Sequence, residues 1–79
     1  MHHFDYQNGN LFCERVDLNQ LASTYGTPLY VYSENTIKDN FNRLSSALSD
    51  LDHRIAFAVK SNSNLSVLKA LNDIGADFD

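Results

Sequence analysis

The side chain best placed for chemistry is that of Lys60, at the end of the run Arg54-Ile55-Ala56-Phe57-Ala58-Val59-Lys60-Ser61-Asn62. Its alternation predicts a buried strand, with Ile55, Phe57 and Val59 on one face and Ala56, Ala58 and Lys60 on the other. Two methyl-sized side chains ahead of a long amine leave space beside that amine. In parallel α/β folds, ligands gather at the carboxyl ends of strands. A lysine there can form an imine with a carbonyl compound, once desolvation or a neighbouring cation lets the amine lose its proton. The same pattern suits a strand-end lysine that points into water, the usual place for a charge. Residue types alone leave both readings open.

Other reactive groups carry weaker signals. Cys13 falls in a predicted strand with no histidine spaced to activate it, so a small buried hydrophobe is expected. His2 and His3 are adjacent, point different ways and lack further ligands, which argues for a loose terminus and against a metal site. His53 is of a type that can act as acid or base, but it precedes the strand, at the end opposite to barrel chemistry. Asp79 closes the run Gly75-Ala76-Asp77-Phe78-Asp79, which opens like a second strand.

These groups need elements to position them. Asn8-Gly9 between Phe4-Asp5-Tyr6 and Leu11 to Val16 predicts a type I′ hairpin, both central positions requiring positive φ. Asp17 is the expected N-cap of a short helix, with Gln20 completing an approximate capping box. Leu18, Leu21, Ala22 and Tyr25 recur at helical spacing, and Gly26 with Pro28 stops the pattern. Leu29-Tyr30-Val31-Tyr32 reads as a short β run with both tyrosines on one face. Ser33 caps a longer helix whose stripe is Ile37, Phe41, Leu44, Leu48 and Leu51. After Lys60, any of Ser61 to Asn64 can cap a further helix with a stripe of Leu65, Leu68, Leu71 and Ile74, Val67 at its edge and Gly75 at its end. Strand, helix and strand at these lengths make one βαβ unit and a parallel pair.

Two stretches resemble a known family. Ala56-Phe57-Ala58-Val59-Lys60-Ser61-Asn62 is similar to the cofactor-lysine motif of the alanine-racemase-like (fold-type III) pyridoxal-phosphate-dependent decarboxylases. Tyr25-Gly26-Thr27-Pro28-Leu29-Tyr30-Val31-Tyr32-Ser33 resembles the run that precedes the barrel in the diaminopimelate decarboxylase branch of that family. The resemblance implies that Lys60 holds pyridoxal 5'-phosphate, with Ala58 and Asp79 beside the cofactor. It implies a fold whose residues 34–79 begin a cofactor-binding TIM barrel. Residues 1–33 would belong to a β-domain completed by downstream chain, and would look under-packed alone. The implied reaction converts meso-2,6-diaminopimelate to L-lysine and carbon dioxide in a homodimer. Ornithine, arginine or carboxynorspermidine decarboxylation and a non-catalytic cofactor-binding homologue are the alternatives. Alanine racemase fits less well, because the residues after Asn62 lack its Tyr-Gly-His-Gly-like turn.

Composition narrows the remaining classes. The 79 residues are 43% apolar and 20% charged, which suits a packed fold, yet a full barrel needs about 250 residues. A net charge of −4 without a basic cluster gives no reason to expect nucleic acid. One cysteine precludes an internal disulfide. No apolar run approaches the ~20 residues of a membrane span, and the N-terminus lacks the apolar core of a signal peptide, so a cytoplasmic protein is expected. No glycine-rich loop is present to hold a phosphate, so that task is expected of residues downstream.

Overall fold

The computed structural model describes residues 2–79. Strand β1 (Phe4–Gln7) pairs antiparallel with β2 (Asn10–Cys13), and β2 pairs antiparallel with β3 (Val16–Asp17). The hairpin turn is as the sequence predicts, with φ of 52° at Asn8 and 81° at Gly9. The run from Leu11 to Val16 is not one strand, however. Glu14 takes a positive φ of 56° and breaks it, and Val16 starts a third strand folded back on β2.

Asp17 caps α1 (Leu18–Tyr25) by accepting from the Asn19 amide at 2.8 Å. The expected capping box is not formed: among the described residues, Gln20 returns no side-chain bond to Asp17. The Gly26 amide closes the helix on the Ala22 carbonyl at 2.8 Å. The expected strand over Leu29–Tyr32 does not form either. Among the described residues no strand pairs with this segment, and Tyr30 and Tyr32 are exposed.

Helix α2 (Glu34–Ala47) ends before Leu48 and Leu51, so the apolar stripe outlasts the helix. Ile37 and Phe41 pack inward, whereas Leu44 and Leu51 stay exposed. Two-residue strands β4 (Ala56–Phe57) and β5 (Asp77–Phe78) run parallel, joined by α3 (Leu65–Asp73) as the βαβ reading expects. The buried face of α3 is Val67, Ala70 and Leu71, with Ile74 beside them. This corrects the predicted stripe in its first half: Leu71 and Ile74 keep their place, but Leu65 is 81% exposed and Val67 and Ala70 are buried instead. At its C-terminus Gly75 (φ 91°) lets the Ala76 amide reach the Leu71 carbonyl and the Gly75 amide reach that of Asn72, both at 3.1 Å. That paired closure needs a residue tolerant of the left-handed region.

The core is small. Val67, Leu71 and Ala76 form it, with Ile37, Phe41, Phe57 and Ile74 packed around. Among the described residues no side chain is fully buried, and the radius of gyration of 15.0 Å exceeds the about 12 Å of a compact domain of this length. Among the described residues the parallel sheet has two strands, β4 and β5, and does not close.

The hairpin is tied to α2 through one carboxylate. Glu14 accepts from Ser33 Oγ and Asn35 Nδ2, each at 2.8 Å, and from the Asn35 amide at 3.2 Å. Ser33, buried, also accepts from the Thr36 amide as N-cap. His3 adds its amide to Thr36 Oγ1 and its ring to Asp39. A negative charge at a helix start is favourable. The Asn35 amide and the Ser33 hydroxyl hold the Glu14 pKa below its ordinary value. The stabilisation is therefore complete above the unfolded pKa, about 4.3, and is lost as pH falls through the lower folded value. Glu14→Gln in the full-length protein is expected to lower stability near neutrality by about 1 kcal/mol. It is also expected to flatten the loss of stability with acid, as thermal denaturation at stepped pH would measure.

Candidate active site

The site is built from the carboxyl ends of β4 and β5. Register pairs Ala56 with Asp77 and Phe57 with Phe78. The ladder runs on past the short strands, with 2.9 Å bonds from Asp77 N to the Ile55 carbonyl, Asp79 N to the Phe57 carbonyl and Val59 N to the Asp79 carbonyl. Partners in register share a face of a parallel sheet, and alternate residues share it along each strand. One face therefore carries Phe57, Ala76 and Phe78, and Phe57 and Ala76 pack into the helix side. The other carries Ala56, Ala58, Asp77 and Asp79. The Arg54–Asp77 ion pair at 3.6 Å spans that second face.

This agrees with the predicted segregation of small residues, with two corrections. The strand is half-buried where a buried one was expected, since Ala56, Ala58 and Lys60 face water while Ile55, Phe57 and Val59 are partly covered. Lys60 also lies just past the strand, inside a single 3₁₀ turn over Val59–Ser61. The turn forms because the chain must leave β4 and enter α3 within a few residues. Ser61 Oγ donates to the Ala58 carbonyl at 2.8 Å, the Ser61 amide to the same oxygen at 3.1 Å, and the Asn62 amide to the Val59 carbonyl at 3.0 Å.

Lys60 and Asp79 are thus brought to neighbouring strand ends. Among the described residues, no carboxylate lies within 4.0 Å of the Lys60 ammonium, so Asp79 does not pair with it here. An apolar groove of about 420 Å³ lies on the helix side, lined by Tyr32, Ile37, Phe41, Phe57 and Leu71 among others, and does not include Lys60. His53 sits at the opposite end of β4, with Nδ1 at 2.9 Å from the Leu51 carbonyl and Nε2 at 3.2 Å from Ser45 Oγ. It takes no part in the site. Cys13 is buried in the hairpin layer, and desolvation pushes its thiol pKa up, as befits an inert side chain. Among the described residues, no group of three His, Cys, Asp or Glu could hold a metal ion, and no helix is long and apolar enough to cross a membrane.

Sequence reasoning missed how the turn is held. Asn62 Oδ1 accepts from the Asn64 amide at 3.0 Å, and Asn64 Oδ1 accepts from the Ser66 and Val67 amides at 2.9 and 3.2 Å. The spacing of the two asparagines was the available signal, because Asn bonds its own backbone two residues on.

A family model described as "Pyridoxal-dependent decarboxylase, pyridoxal binding domain" matches residues 34–79, and the chain belongs to that family. Its individual relatives are diaminopimelate decarboxylases. The chain is 46% identical over 80 residues to that of Vibrio cholerae serotype O1, covering 100% of this chain and 19% of the relative. It is 46% identical over 77 residues to that of Aquifex aeolicus, covering 98% of this chain and 18% of the relative. The fold matches a crystal structure of diaminopimelate decarboxylase from M. jannaschii in complex with L-lysine, with a TM-score of 0.90 and 33% identity. That match covers 100% of this chain and 20% of the other. The chain therefore spans about a fifth of the length of the relatives it matches.

The residues present fit the family's cofactor. A flat ring needs a floor without bulk, and on the open face Ala56 and Ala58 offer only methyl groups. An aldehyde needs an accessible amine, and Lys60 is exposed at the edge of that floor with no carboxylate partner among the described residues.

Proposed function

We propose that this chain is the N-terminal part of a pyridoxal-phosphate-dependent carboxy-lyase that converts meso-2,6-diaminopimelate to L-lysine and carbon dioxide. The observation that carries the reading is the open alanine face ending in Lys60, with Asp79 at the neighbouring strand end. The identity to diaminopimelate decarboxylases along the whole chain supports the substrate, and the L-lysine in the M. jannaschii complex is the expected product.

In this reading Nζ of Lys60 holds the cofactor through its aldehyde carbon. Ala58 would leave room for the ring, and Asp79 would place a negative charge at the neighbouring strand end that favours the protonated amine. Pyridoxal phosphate, when bound, supplies the electron sink for the pair left at the α-carbon as the carboxylate departs. The βαβ unit is the start of a TIM barrel, and residues 1–33 join a β-domain formed mainly by downstream chain. The exposure of Tyr6, Tyr25, Tyr30 and Tyr32 supports that second assignment. The enzyme is a cytoplasmic homodimer that binds neither nucleic acid nor membrane.

The test is chemical. Full-length protein is incubated with pyridoxal phosphate, reduced with borohydride and digested, and the modified peptide is mapped by mass spectrometry. Modification at Lys60 is expected, and modification elsewhere would sink the assignment. Carbon dioxide release from diaminopimelate, ornithine, arginine and carboxynorspermidine then reads the substrate directly.

A further inference from the structure

Lys60 stands on a turn just past the ladder and makes no ladder bond itself. The last ladder bond, Val59 N to the Asp79 carbonyl, precedes it, and the residue is exposed. A lysine amine sits on a flexible four-carbon stem. If the backbone beneath that stem also moved, the amine would sweep a wide volume, and its reaction with a bound aldehyde would slow. Covalent chemistry requires the reacting atoms to be held near 3–3.5 Å.

We propose that Asn62 is a positioning residue for Lys60, acting through the backbone of the turn. Its amide ties back to the Val59 carbonyl at 3.0 Å, and its Oδ1 ties forward to the Asn64 amide at 3.0 Å. Asn64 in turn caps α3 through the Ser66 and Val67 amides. The turn that carries the amine is thereby anchored on one side to the β4–β5 ladder and on the other to the first turn of α3. Val67, in that first turn, belongs to the buried core. Ser61 Oγ adds a bond from the same turn to the Ala58 carbonyl. The feature that matters at position 62 is an oxygen acceptor two residues before the Asn64 amide. Its spare NH₂ group is not required.

This inference rests on Lys60 being the cofactor lysine, so the parent protein is mapped first. Absence of label at Lys60 overturns that assignment, and the proposal with it, before any variant is made. Given label at Lys60, full-length protein stripped of cofactor is mixed with pyridoxal phosphate, and attachment is followed by borohydride trapping over time. Asn62→Ala is expected to slow attachment by about 10- to 100-fold, with kcat falling alongside and KM nearly constant. Asn62→Asp keeps an Oδ acceptor and is expected to restore both. Parent-like attachment in Asn62→Ala overturns the proposal, even if that variant melts earlier, because the residue then only stabilises the loop. Failure of Asn62→Asp to recover overturns it as well. Should Asn62→Ala not fold, Ser61→Ala loosens the same turn from an exposed position, and unchanged attachment in that variant overturns the idea of a braced turn.

Discussion

Lys60→Ala in the full-length protein is expected to lower kcat on the order of 10⁴-fold or more, the scale on which loss of a covalent catalytic group acts. The bound cofactor's visible absorbance should disappear with it, while the thermal midpoint changes little. That separation follows from the structure. Lys60 is exposed, has no ion-pair partner among the described residues, and contributes nothing to the apolar cluster on the other face of the sheet. Lys60→Arg keeps a cation at the site but cannot form the linkage, so it should be as inactive as Lys60→Ala. A decarboxylation assay with an absorbance spectrum of each variant checks both statements. Substantial turnover by either variant would remove Lys60 from the chemistry.

The largest effect on stability is expected at Leu71. It is 5% exposed and packs with Val67 and Ala76, where α3 meets Phe57 of β4 and Ile37 and Phe41 of α2. Leu71→Ala removes side-chain volume from the middle of that cluster and should cost about 2–4 kcal/mol, the range for buried leucine truncation. Leu71→Met conserves volume and should cost less than about 1.5 kcal/mol. Urea denaturation of the three proteins gives the comparison. Equal midpoints for Leu71→Ala and the parent would mean that this cluster does not hold the βαβ unit together.

The local punctuation was plain in the sequence. Asn8-Gly9, Asp17, Gly26, Ser33 and Gly75 each do what their chemistry predicts, because turns and caps are decided within a few residues. Alternation also sorted Ala56 and Ala58 from Ile55, Phe57 and Val59 correctly. What escaped was decided at longer range. Periodicity on α3 could not choose between Leu65–Leu68 and Val67–Ala70–Leu71, since both are apolar at helical spacing, and contact with Ile37 and Phe41 made the choice. Leu29–Tyr32 has the residues of a strand, but a strand also needs a partner, and none is within reach among the described residues. At the candidate site, the face of small residues leading to Lys60 was legible from residue size. The turn that carries Lys60 was not, because three-centre bonding at the Ala58 carbonyl leaves no trace in composition.

The carboxylate of Glu14 gives the N-terminal hairpin a thermodynamic fate it would not have alone. So short a ribbon is at best marginal in water when isolated. Here its turn residue fills a role at the start of a neighbouring helix, while Ser33 both receives and gives a bond at the same junction. Peeling the hairpin away would leave α2 its Ser33 cap but take the Glu14 acceptor from the Ser33 hydroxyl and the Asn35 amide, and fraying α2 would leave that carboxylate without donors. The two should therefore open together as one cooperative unit, so that the amino-terminal arm behaves as a clasp on α2 and not as a loose appendage.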